Sequence, residues 1–175
     1  MTFTLERLKS PVGEVLIVTD EAGRLRALDF GDYEDRMHRL WRRYYGSGAP
    51  AFSSASAPTA ARRALEAYFA GDLAAIEGLP VETGGTAFQR QVWKALRQIP
   101  SGRTESYGEL AARIGRPKAV RAVGLANGAN PVGIVVPCHR VIGANGTMTG
   151  YGGGVERKRW LLQHEGALQQ PASLL

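Results

Sequence analysis

A chain of 175 residues, 44% hydrophobic and 22% charged, is a globular protein of one ordinary domain or two small lobes, with no apolar run near the roughly 18 residues of a membrane span. Its single cysteine excludes an intramolecular disulfide, a CxxC redox pair and a cysteine-rich zinc site, and the three scattered histidines, His38, His139 and His164, form no metal-ligand pattern, so neither metal nor cofactor is expected. The net charge of +6 is uneven: residues 1–85 carry ten Lys/Arg against twelve Asp/Glu, residues 86–175 twelve against four, and a basic half suits a polyanion, nucleic acid above all.

The N-terminal MTFTLERLKSPVG has charges inside its first apolar stretch and no signal-peptide core, which makes the cytoplasm the expected compartment. Glu14–Thr19 and Leu25–Phe30 are β-prone runs joined by Asp20-Glu21-Ala22-Gly23, the pattern of a hairpin. Asp32 is placed to cap a helix whose apolar face is Tyr33, Met37, Leu40, Trp41 and Tyr44, a stripe that fits core packing better than a binding site. Gly46–Pro58 (GSGAPAFSSASAP) is a loop by composition, and a further helix spans Thr59 to about Ala70, stopped by Gly71. Nothing in this part of the chain suggests chemistry. A second loop, Gly78–Gly85, closes a first lobe of residues 1–84 and opens a second of 85–175.

Helix signals then sharpen. Thr86 with Gln89 makes a capping box for a helix with Phe88, Val92, Trp93 and Leu96 inward, and Ser106 with Glu109 makes another for a short helix through Ile114. Gly115-Arg116-Pro117 stops that helix, with Pro117 placed at the first position of the next, Lys118–Ala126. Two short helices around a Gly-containing turn form a helix-turn-helix candidate. On its second helix Arg121 stands among the small residues Ala119, Ala122 and Ala126, which allows close approach to a DNA groove. Helix pairs of this kind also occur in enzymes that never touch DNA, and a basic face can be merely solvated.

The apolar run Ile134–Val136 reads as a strand that delivers Pro137 and Cys138 to its end. A lone cysteine after an apolar run is commonly a buried core thiol. His139 beside it could accept the thiol proton and raise the thiolate fraction. Adjacent residues on a strand point to opposite faces, so this requires a turn at Cys138 or a bridging water.

Pro137-Cys138-His139-Arg140-Val141 resembles the active-site signature of the O6-alkylguanine-DNA alkyltransferases, and the resemblance continues through Asn130-Pro131, Gly150-Tyr151-Gly152-Gly153-Gly154 and Trp160-Leu161-Leu162-Gln163-His164-Glu165-Gly166. The layout is similar to the bacterial, constitutive type, without the extra cysteine-rich lobe of inducible relatives. The resemblance implies an α+β protein with an N-terminal ribonuclease H-like lobe and a C-terminal winged-helix-like lobe holding the helix-turn-helix. It implies a cofactor-free monomer that binds double-stranded DNA containing O6-alkylguanine and moves the alkyl group, irreversibly and once, onto Cys138. O4-alkylthymine is a further implied substrate.

By the same resemblance His139 is the base, acting through water, and Glu165 orients it. Tyr107 presses on the lesion's phosphate and approaches guanine N3. Arg121 fills the gap left by the extruded nucleotide, with Lys118 on the same recognition helix. Asn130 ties that helix to the active-site segment, Tyr151 lines the alkyl pocket, and the Val141 backbone recognises the guanine edge. The glycine-rich Gly143–Gly154 reads as pocket wall, lacking the strand–helix context of a phosphate loop. Three other readings compete. A non-catalytic lesion sensor would lack the acceptor cysteine; a cysteine hydrolase would need an oxyanion hole; a helix-turn-helix transcription factor would need no Cys-His-Glu set.

Overall fold

The computed structural model describes residues 2–48, 51–148 and 150–168. The expected 46–58 loop, the 143–154 wall and the second lobe therefore each include residues outside the described ones. The first half is a four-stranded sheet of order β3-β2-β1-β4, in which β1 (Phe3–Ser10), β2 (Gly13–Asp20) and β3 (Leu25–Phe30) are antiparallel and the two-residue β4 (Ser53–Ser54) runs parallel to β1. The β2–β3 hairpin lies where the sequence predicts it. The Asp20 carboxylate accepts the backbone N–H groups of Ala22 and Arg24, and Gly23 supplies a φ of 80°. β1 extends the expected hairpin; its Glu6, Arg7 and Lys9 break the apolar pattern, and register with β2 from Phe3↔Asp20 to Ser10↔Gly13 fixes it.

Both sheet faces are covered. Leu16, Val18 and Ala27 pack with Phe3, Met37 and Trp41 under α1 (Glu34–Tyr45), while Val15, Ile17, Leu28 and Phe30 face a larger core shared with α2 (Ala60–Phe69) and the second half. Strands sandwiched in this way lose the alternation of a one-sided sheet, and every residue of β3 is buried. The aromatic stripe of α1 is core: Trp41 meets Phe3 edge-on at 4.8 Å and Phe52 at 4.9 Å.

Asp32 does not cap α1. A single 3-10 turn, Gly31–Tyr33, precedes the helix without a side-chain cap, and the Asp32 carboxylate instead pairs with Arg157 at 2.8 Å. α2 starts as predicted on Thr59, whose hydroxyl accepts the Arg62 N–H, and ends before Gly71 at φ 115°. The segment 78–85 is more than a loop. The Leu25 N–H donates to the Pro80 carbonyl at 2.8 Å and the Glu82 N–H to the Leu25 carbonyl at 3.0 Å, setting Val81 beside β3.

The second half holds α3 (Ala87–Leu96), α4 (Tyr107–Arg113), α5 (Val120–Gly128) and α6 (Val155–His164), with a short parallel pair, β5 (Glu105–Ser106) and β6 (Val141–Ile142). Both capping boxes form. α4 ends in a Schellman arrangement: Gly115 at φ 78° donates to Ala112 and Arg116 to Ala111. α5 begins later than the sequence predicts. The Ala119 N–H closes a turn on the Arg116 carbonyl at 2.9 Å, so Pro117 occupies the second position of a β-turn, a place its fixed φ suits, and Lys118 precedes the helix. The architecture is mixed α+β: an N-terminal sheet domain followed by a helical domain with a helix-turn-helix.

Candidate active site

The approach to Cys138 is not a strand. Only Val132 bridges to Leu28; the chain then turns twice. The Val135 N–H donates to the Gly133 carbonyl at 2.7 Å around Ile134 at φ 67°, and the Cys138 N–H donates to the Val136 carbonyl at 2.8 Å around Pro137. These are γ-turns, the first with a β-branched residue in the left-handed region, a strained conformation. Asn130 holds the bend closed: its Nδ2 donates to the Val136 carbonyl at 2.8 Å and its Oδ1 accepts the Val132 N–H at 3.0 Å. The bend feeds a single 3-10 turn, Cys138–Arg140. That turn lets neighbouring side chains diverge by less than the opposite faces of a strand.

Cys138, 9% exposed, borders a cavity that it shares with Arg36, Asn127, Asn130, Tyr151 and the glycines of 150–153. Free space there is about 30 Å³, room for a water or two and far too little for a purine. Burial pushes the Cys138 thiol up, against the lowering pull of Asn130, Lys158 and Arg36. The resting sulfur is therefore a thiol, and a base must take its proton when a substrate arrives.

That base sits next in the chain. His139 is fully buried; Nε2 lies 2.9 Å from Glu165 Oε2, and Nδ1 has no partner among the described residues. Glu165, the first residue past α6, also receives Arg140 Nε at 2.8 Å, Arg140 Nη2 at 3.0 Å and the Tyr68 hydroxyl of α2 at 2.7 Å. Burial opposes ionisation of Glu165, yet His139 and Arg140 overcome it and hold the carboxyl well below its usual range. A carboxylate only accepts, so Nε2 carries the proton and the Nδ1 lone pair is the basic one. Desolvation lowers the histidine's affinity for a second proton, with Glu165 pulling the other way. Because Arg140 already balances Glu165, His139 rests neutral.

Both groups make the fold acid-sensitive. An unfolded histidine regains its ordinary value of 6.5 and binds a proton that buried His139 resists, so stability is fully present above 6.5 and falls as pH drops below it. Glu165 adds a second loss as pH falls below its unfolded value of 4.5. Denaturant unfolding between about pH 7.5 and 5 should show stability falling by up to about 1.4 kcal/mol per pH unit for the histidine. A flat profile would contradict a neutral buried His139.

The arrangement matches known proteins along nearly the whole chain. Residues 4–83 match the 6-O-methylguanine DNA methyltransferase, ribonuclease-like domain, and residues 87–167 the 6-O-methylguanine DNA methyltransferase, DNA binding domain. The methylated-DNA--protein-cysteine methyltransferase of Salmonella typhimurium is 55% identical over 163 residues, covering 93% of this chain and 95% of that protein. The chain belongs to the 6-O-methylguanine DNA methyltransferase family. The crystal structure of the Mycobacterium tuberculosis O6-methylguanine methyltransferase superposes with a TM-score of 0.75 at 42% identity, covering 98% of this chain and 97% of that one. The same protein in complex with DNA gives 0.75 at 42% identity over 95% and 94%.

Against this family background the predicted site residues divide. Cys138, His139 and Glu165 lie on one connected segment and network, and Asn130 and Tyr151 border the same cavity. Tyr107, half-buried at the start of α4, has its hydroxyl pushed up by burial and by Cys138, and a Cβ on Gly150 would lie 2.8 Å from its oxygen. Arg121 is exposed on α5, as is Lys118 ahead of it. Val141 is engaged: its N–H donates to the Cys138 carbonyl and its own carbonyl accepts from buried Lys158 Nζ. The sequence alone points to no role for Arg140, Lys158, Tyr68, Arg36 or Asn127. Of these, only Arg140 carries a signal, its place inside Pro137–Val141.

Proposed function

We propose that the chain repairs DNA by direct reversal, moving an alkyl group from O6 of guanine onto Sγ of Cys138. The observation that carries this reading is the pairing of the chain's one thiol, on the wall of a cavity, with an adjacent histidine whose Nδ1 is free and whose Nε2 is anchored by Glu165. As the S–C bond forms and the C–O6 bond breaks, the thiol proton passes through a water to His139 Nδ1. The guanine leaving as an anion takes a proton at N3 from Tyr107, which recovers one from solvent. A thioether is the product. The chain has no second cysteine to take the group onward, so each molecule acts once.

Duplex DNA holds O6 inside the stack, so the base must be extruded, at a few kcal/mol. Arg121, projecting from α5, fills the vacated space, and Lys118 contacts the backbone beside it. Tyr151 closes on the alkyl group, and the lone pair left on the Val141 carbonyl accepts from the guanine edge. The division into residues 1–84 and 85–175 is supported by the gap between the two family matches. The protein acts as a monomer in this reading, which is supported by the small number of exposed large hydrophobics among the described residues, Val120, Leu125 and Val155. A cytoplasmic setting suits a lone thiol that must stay reduced.

Comparing Arg121→Ala with wild type on two substrates tests this reading. Free O6-benzylguanine needs an activated thiol but no extrusion; a duplex carrying O6-methylguanine needs both. The variant should lose about 10- to 100-fold on the duplex, equivalent to losing part of a few-kcal/mol unstacking term, and little on the free base. Equal loss on both substrates would remove Arg121 from base extrusion. Absence of transfer from either substrate to wild type would overturn the function.

A further inference from the structure

The basic charge visible in the sequence lies in residues 86–175, but the fold brings cations from the other half to the same place. Arg36, Arg39 and Arg43 are spaced i, i+3, i+7 along α1 and so share one side of that helix. α1 is fastened beside α5: the Tyr44 hydroxyl donates to the Ala129 carbonyl at 2.9 Å, and the Tyr44 ring meets Trp93, whose Nε1 donates to the Ala126 carbonyl. Between the two helices runs a groove of about 590 Å³, with these three arginines on one side and Gly124, Leu125 and Gly128 on the other. Arg36 and Gly128 also border the Cys138 cavity, so groove and cavity adjoin.

Arg36 is committed to Asp29. Arg39 and Arg43 are exposed, and neither has an ion pair among the described residues. α5 itself has no basic residue after Arg121, and its C-terminal end, at Gly128, carries the partial negative charge of the helix dipole. Leu125, 70% exposed, stands between the Arg121 side of α5 and the groove. A polyanion lying along α5 toward the cavity mouth therefore meets its next cations on α1.

We propose that Arg39 and Arg43 bind the phosphodiester backbone of the strand that delivers the extruded base, extending the DNA interface across the groove onto the sheet domain. The inference rests on the proposed reading that the alkyl group arrives on duplex DNA. Guanidinium groups suit phosphate, which they bind through paired N–H donors. Each neutralised phosphate adds about 0.9 to the slope of log affinity against log salt.

The test is a salt titration between about 50 and 200 mM with a short duplex holding one copy of the protein, both chains carrying Cys138→Ser so that binding is read without transfer. The double variant Arg39→Ala/Arg43→Ala should bind about tenfold more weakly at the low-salt end and lose about 1–2 from the slope. Arg39→Lys/Arg43→Lys should keep most of the slope. With Cys138 intact, the alanine variant should react with free O6-benzylguanine at the wild-type rate, which also shows that it folds. Unchanged affinity and slope would overturn the α1 interface. So would a loss seen only on long duplexes holding several copies, which would assign the arginines to a neighbouring protein molecule. If wild type neither binds duplex DNA nor takes its alkyl group, the underlying function fails instead.

Discussion

Replacing Glu165 with Gln is expected to destabilise the fold by about 3–5 kcal/mol and to slow alkyl transfer by about 10²–10⁴. The carboxylate receives four donors, from Arg140 twice, His139 and Tyr68. Arg140 is only 7% exposed, so the substitution strands its charge without a counter-charge. The amide also turns an NH₂ group, itself a donor, toward donors. Freed of its anchor, His139 loses the tautomer that leaves Nδ1 basic. Urea unfolding reads the first effect, and transfer from free O6-benzylguanine and from duplex DNA reads the second. Both rates should fall alike, because both reactions need the thiol proton removed. A variant with wild-type stability, or with an unchanged free-base rate, would reduce Glu165 to a carboxylate that happens to end a helix.

Cys138→Ser should abolish transfer and leave duplex binding near the wild-type level. Serine keeps the shape of the cavity wall, but its hydroxyl is a far weaker nucleophile, and a neutral histidine cannot hold enough of it ionised. The residues of α5 and α1 proposed to meet DNA are untouched. Parallel measurement of label transfer and of duplex affinity separates the two properties. Transfer by the serine variant would place the acceptor elsewhere; lost binding would mean that the cysteine holds the fold of the site.

What the sequence makes legible follows from the range of the interactions. Helix ends are local: Thr86 with Gln89 and Ser106 with Glu109 cap their own first turns, and Gly71 and Gly115 stop helices by taking positive φ. The Asp20–Gly23 hairpin is local in the same way. Cys138 and His139 are legible as a pair because they adjoin, and Glu165 through the motif that contains it. These misreadings fall where local composition allows two conformations. Ile134–Val136 has the composition of a strand, but extended backbone needs a partner, and among the described residues only Val132 finds one; Asn130 and Pro137 bend the chain instead. Pro117 suits the first turn of a helix and the second position of a β-turn equally, and the Ala119–Arg116 hydrogen bond decides between them.

The residues left unassigned are those whose partners lie far along the chain. Tyr68 reaches Glu165 across 97 positions, and Tyr44 reaches Ala129 across 85. Lys158, flanked by Arg157 and Arg159, has the sequence context of a solvated helix cation; packing of α6 buries it against the Val141 carbonyl. Arg39 and Arg43 lie in the half of the chain that is net acidic, and only the docking of α1 on α5 brings them to the groove that adjoins the cavity. Charge counted along a sequence is blind to that.

One alkyl group is expected to leave O6 of guanine and to stay on Cys138. The most direct measurement incubates the protein with a large excess of duplex DNA carrying labelled O6-methylguanine, follows label per chain to completion, and maps it by proteolysis and mass spectrometry. Label should rise to one equivalent per chain and stop, all of it as a thioether on the peptide that contains Cys138. Continued turnover beyond one equivalent, release of the methyl group as methanol, or label on any other residue would contradict it.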